Sequence, residues 1–219
     1  MKKQQSGFTL VEIAIVMVII GLLLGGVLKG QEVITNAKIK NINNDVSGIS
    51  AAIYSYQDRY SALPGDDAAA DAHVNGGVPS DNTAGGTAGD GIIDGNYNDN
   101  GTLAGAVPTD SESALAWQHL RAAGLMTGDA LSDMSPTHAF GGTTGIQTGV
   151  NDQGTNASGI AGLFIAFSTV NGDMAAILDS QNDDNNPDAG SIRAAGLNAP
   201  VGGNYVIDGT TNYDVAFEM

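Results

Sequence analysis

The chain has 219 residues, enough for one folded unit with an appendage, and it holds no cysteine, which excludes disulfides, thiolate zinc sites and cysteine nucleophiles. Its net charge is −16. Lys2, Lys3, Lys29, Lys38 and Lys40 all lie in the first forty residues, and beyond them only Arg59, Arg121 and Arg193 stand against every acidic residue except Glu12 and Glu32. A body so anionic repels phosphate backbones, so no nucleic-acid partner is expected for it, whereas it attracts cations and stays soluble. Glycine, at 31 residues, is about twice its usual share and points to turns and loops.

In chain order, residues 1–7 form a short lysine-bearing stretch ahead of a long apolar run, Phe8 to Leu28, in which Glu12 is the only charge. At about 1.5 Å per helical residue the run covers ~31 Å, one hydrocarbon thickness, and predicts a membrane span. A cleaved secretory signal would be shorter and followed by a small-x-small site, which Leu23 to Lys29 does not offer. Lys2 and Lys3 favour a cytoplasmic amino end and export of the acidic body, although Lys29, Lys38 and Lys40 pull weakly the other way.

The helical pattern continues past the span. Ile42, Val46, Ile49, Ile53, Tyr56 and Tyr60 recur at spacings of four and three, an apolar stripe on an otherwise polar helix. Pro64 and Gly65 end it. One helix of about fifty residues is therefore expected, half lipid-soluble and half gripped by a globular body.

Glu12 is the anomaly. A carboxylate costs about 2.5–3.5 kcal/mol at the centre of a span, less near an end, and marks a function with a nearby partner. The span holds no cation. Cleavage after Gly7 would create one, the α-amino group of Phe8, on the same chain or on a neighbour whose axial stagger the pair would fix. A carboxylate snorkelling toward water from the end of the span is the simpler alternative.

The run Gly7-Phe8-Thr9-Leu10-Val11-Glu12, behind a lysine-bearing leader and ahead of some twenty apolar residues, resembles the type IV prepilin signature of type IV pilins and type II secretion pseudopilins. The resemblance covers about sixty residues. It implies a prepilin peptidase/N-methyltransferase that cuts after Gly7 and methylates the amine of Phe8. It also implies pairing of Glu12 with the amine of an adjacent subunit, and assembly with identical or related pilin subunits. Family helices often melt near a proline for which this chain has Lys29. Gly21, Gly25, Gly26 and Gly30 form two small-xxx-small spacings suited to close helix packing in lipid, or weak points in the helix.

In the body, residues 61–108 read as loop. Thr109-x-x-Glu112 fits a capping box ahead of a helix carrying Leu115, Trp117, Leu120 and Ala123 and stopping at Gly124. From Gly159 onward GIAGLFIAFSTV, DMAAILDS, NYVIDG and DVAFEM read as short strands. The expected fold is α+β and pilin-like: the long helix packed on a carboxy-terminal antiparallel sheet with long loops. The expected segments are a leader at 1–7, an assembly helix at 8–28, its amphipathic continuation at 29–62 and an acidic body at 63–219.

Two acidic stretches invite a metal reading. DGIIDGNYNDNG, from Asp90, lacks both the spacing and the terminal glutamate of a calcium loop. DSQNDDNNPDAG offers Asp179, Asp183, Asp184 and Asp188 as hard oxygen ligands for Ca²⁺, and the resemblance adds that major pseudopilins carry a carboxy-terminal calcium site. A solvated acidic loop is the alternative. His73, His119 and His138 are scattered, and neither a nucleophile elbow nor a phosphate loop occurs, so no enzyme is expected.

These features lead to a structural subunit of a type IV pilus or pilus-like filament, single-pass in a bacterial inner membrane before assembly and periplasmic or extracellular afterwards. A type II secretion pseudopilin is the alternative within the class. A monomeric membrane anchor presenting a calcium-binding or adhesive domain is the alternative outside it.

Overall fold

The computed structural model describes residues 9–80, 87–98, 111–149, 159–195 and 204–219. Helix α1 runs unbroken from Leu10 to Tyr60, as the two apolar patterns predict. The chain divides into two compact units at Lys40 and Asn41, both within α1.

In the first unit the greater part of α1 is uncovered among the described residues. Every described residue from Thr9 to Val33 is exposed. Single-chain packing therefore does not account for this helix; backbone hydrogen bonding and apolar composition do, and both suit lipid.

In the second unit α1 carries the predicted stripe inward. Ile42, Ile49, Ile53 and Tyr56 are buried, with Val46 and Tyr60 half-buried. Tyr56 stacks on the ring of His119 and donates its hydroxyl to Asp67 at 2.8 Å. Among its described residues the expected loop after α1 holds one short helix, α2, Ala70–His73. Helix α3, Glu112–Ala122, begins close to the expected place and ends at Gly124, which takes φ +70° where the chain must leave the helix. Its expected cap Thr109 lies outside the described residues; Ser111 occupies the N-cap without a side-chain bond.

Four strands follow: β1 Thr144–Thr148, β2 Leu163–Asn171, β3 Ile192–Ala195 and β4 Asn212–Glu218. They pair antiparallel in the order β1-β2-β4-β3. One face presents Ile146, Ile165, Phe167, Val215 and Phe217 to the core, with Phe167 edge-on to both Phe217 and His138. The other face, Phe164, Ala166 and Ala216, is covered by Ile160 and Tyr97. The strap 93–97 lies so close to β1 that a side chain at Gly145 would collide with the Tyr97 carbonyl, which explains the glycine there. The fold is α+β and pilin-like.

Two expected strands are corrected. DMAAILDS lies in helix α4, Gly172–Asn182, because Asn171 caps it by accepting the Asp173 N–H, and Gly172, Ala175, Leu178 and Asp179 fall on one buried helical face. NYVIDG is not a strand: Tyr205 turns its hydroxyl onto Asp179, Val206 donates its N–H to the Tyr213 hydroxyl, and Asp208 accepts two backbone N–H groups of its own turn. Strands β1 and β3 were not expected. Their sequences TGIQT and IRAA lack clean alternation, and pairing with β2 and β4 makes them strands.

Candidate assembly and processing site

The amino end of α1 is built around Glu12. Thr9 is the residue before the first helical turn, and its carbonyl accepts the Ile13 N–H at 3.4 Å. The Thr9 N–H donates to Glu12 Oε2 at 2.8 Å and the Thr9 hydroxyl to the same oxygen at 2.7 Å, while the Glu12 N–H reaches back to Thr9 Oγ1 at 3.3 Å. This reciprocal arrangement is a capping box. It satisfies orphan donors of the helix end and gives the carboxylate two local donors at the N-terminal, partially positive end of the helix dipole. This box was not expected, although Thr9-x-x-Glu12 has the same spacing as Thr109-x-x-Glu112.

Glu12 Oε2 thus carries the Thr9 contacts and Oε1 points to no bond within the described chain. Gly7 and Phe8 lie outside the described residues. From Leu10 to Leu28 the large apolar side chains are all exposed, from 45% at Ile20 to 86% at Leu10. A methyl added at Gly21, Gly25, Gly26 or Gly30 would meet nothing within 4 Å, so packing inside the chain does not require glycine at any of them. Lys29 forms a 2.7 Å ion pair with Glu32 on the exposed surface.

In the second unit, Asp179, Asp183 and Asp184 can bring one carboxylate oxygen each within 4.8 Å of one another. Asp188 falls outside that group, its N–H held by Asn186. Asp179 is buried and accepts the Tyr205 hydroxyl at 2.6 Å and the Asn185 N–H at 2.9 Å; burial raises its pKa. Asp183 accepts the Ile192 N–H at 2.8 Å, which holds its carboxyl below the usual range. With the Pro187 carbonyl accepting the Ala194 N–H, Asp183 covers the free edge of β3. Two of these carboxylates therefore already have structural work.

A second acidic group was not anticipated as a unit. Asp66, Asp94 and Glu112 are all buried. Asp66 accepts the Gly89 and Gly91 N–H groups, and Glu112 accepts the Asp94 N–H at 2.9 Å and the Ser80 hydroxyl at 2.5 Å. Burial, with Asp66 and Asp94 nearby, pushes Glu112 up to about 7. DGIIDGNYNDNG is thus a strap over the body as far as it is described: Asp90 caps its own turn, Ile93 bonds Thr148 and Tyr97 bonds Gln147 and Asp214. His119 serves packing: it is buried, accepts the Gly65 N–H and donates to the Val78 carbonyl, and burial lowers its pKa.

Residues 2–28 match the prokaryotic N-terminal methylation motif, the prepilin-type signature. No curated protein and no solved structure matches the chain. The motif supports a type IV pilin- or pseudopilin-like, structural protein, and it implies processing by a prepilin peptidase and assembly with other pilin subunits. The apolar stretch of α1 is long enough to cross a membrane, consistent with anchoring there.

Proposed function

We propose that this chain is a non-enzymatic subunit of a type IV pilus or pilus-like filament. It enters the inner membrane with its amino end cytoplasmic, is cut after Gly7, is methylated at Phe8, and joins a filament through α1. The observation that carries the reading is the prepilin-type motif leading into a fully exposed apolar helix with one anion, Glu12. Glu12 pairs with the amine of a neighbouring subunit through the oxygen that Thr9 leaves open, and the pair sets axial register. Gly21, Gly25, Gly26 and Gly30 serve close packing of neighbouring helices. Glu12→Val tests this: membrane insertion should persist while filaments disappear from sheared material. Normal filaments from that variant would overturn the pairing role.

A pseudopilin of type II secretion is the second reading, favoured by the absence of cysteine and by the acidic loop after α4. Under it, sheared surfaces carry no long fibres containing this chain. With either reading, Asp179, Asp183 and Asp184 are proposed to hold Ca²⁺, the ion suited to an all-oxygen set. Calorimetric titration should give saturable heat with Ca²⁺, and none at millimolar calcium would remove the site.

A further inference from the structure

Higher on α1, two opposite charges face outward. Lys40 and Asp45 are both exposed. The arginines of the body are engaged at home: Arg121 donates to the Ser132 and Met134 carbonyls, Arg193 to those of Gly159 and Gly190, and Arg59 to that of Ala123. Lys40 has no hydrogen bond or ion pair among the described residues. Asp45 has only a longer-range contact with His138. That ring accepts the Phe140 N–H at Nδ1 and donates Nε2–H to the Ser168 carbonyl, so it is neutral and gives Asp45 no countercharge.

The helix repeat supplies the partner. If Glu12 of one subunit meets the amine of residue 8 of the next, the next helix is displaced by four residues, ~6 Å at about 1.5 Å each. Its Lys40 then stands level with position 44 and beside Asp45. If the repeat of α1 also carries position 8, rotation agrees as well as height: Lys40 lies 32 residues above position 8 and Asp45 lies 33 above Glu12, and nine turns of about 3.6 residues take roughly 32. Each charge returns near the face of its counterpart at the amino end.

We propose that Lys40 of one subunit pairs with Asp45 of its neighbour, a second ion pair on the same helix-to-helix seam about nine turns from Glu12. The partner surface is a second copy of this chain. The pair rests on the Glu12 reading, because that contact sets the displacement. It lies in water, so it specifies register more than it holds subunits together.

Because the natural chain lacks cysteine, cross-linking in the full-length protein in its host is unambiguous. Filaments carrying both Lys40→Cys and Asp45→Cys, treated with a short bis-maleimide, should give a ladder of multimers, while each single variant stops at dimers. Asp45→Lys or Lys40→Asp alone should cut filament yield about fivefold, the scale of one exposed pair, and the double exchange should restore it. Filaments without a ladder, or a double exchange that restores nothing, overturn the Lys40–Asp45 pair; if Glu12→Val still abolishes assembly, the Glu12 reading stands. A loss in Lys40→Gln that no change at Asp45 modifies would assign Lys40 to anionic lipid headgroups and overturn the pair equally.

Discussion

Helix α1 is two helices in physical terms. Its first twenty-five residues, Leu10 to Ile34, are all exposed, while the stretch from Ile42 to Tyr56 buries a stripe of isoleucine and tyrosine. The backbone is the same; the solvent each half is written for differs. An apolar helix with no cover in its own chain must find cover in lipid or in other chains, whereas an amphipathic one completes a core at home.

The largest expected effect breaks that contrast directly. Ile53→Ala, at a fully buried position, should cost about 2–5 kcal/mol of body stability, and Ile19→Ala, half exposed in the span, should cost none. Thermal unfolding of the full chain in detergent reads both, and equal losses would erase the distinction.

The next effect sharpens the electrostatic side. Glu112 ordinarily titrates near 4.5 and is raised to about 7 by burial in the folded body. A carboxyl whose folded pKa lies above its unfolded one binds its proton more tightly when folded. Its stabilising contribution is therefore full below about 4.5 and is lost as pH rises through about 7, an upper bound of about 3 kcal/mol. Carboxyls lowered in the fold, such as Asp183 and Asp208, act oppositely and lose their contribution at lower pH. Urea unfolding should show a loss of stability between pH 5 and pH 8 that Glu112→Gln removes relative to the parent; His119, whose pKa burial lowers, acts oppositely by destabilising the body as pH falls below about 6.5, and is common to both chains. A variant with an unchanged slope would place the titration elsewhere.

The smallest effect is local. Thr9→Val removes the capping box and should cost about 1 kcal/mol at the start of α1, read as roughly fivefold faster amide exchange at residues 10–13 in micelles. The body should be unaffected. Unchanged exchange would show that Thr9 does not anchor the helix end.

The long helix was legible because its signals are local and repeated: twenty apolar residues, then a stripe at spacings of three and four. The central strands β2 and β4 were legible for the same reason, being rich in phenylalanine, valine and isoleucine. Helix α4 was misread because its apolar residues were weighed without the Asn171 cap before them. The polar ties of the body were illegible in principle. The Glu112 contacts with Ser80 and Asp94, and the Tyr97 contact with Asp214, join residues far apart in the chain by side chains that look like ordinary loop composition.

What the sequence alone determined is the membrane-length helix, its single anion and the lysine-bearing stretch ahead of it, because apolar length, charge and spacing act within a few turns of backbone. What only the tertiary structure decided is which acidic residues are ligands of their own fold. Asp66, Glu112 and Asp179 could all have been solvated surface; distant N–H and O–H groups hold them in the interior, and burial there raises their affinity for a proton.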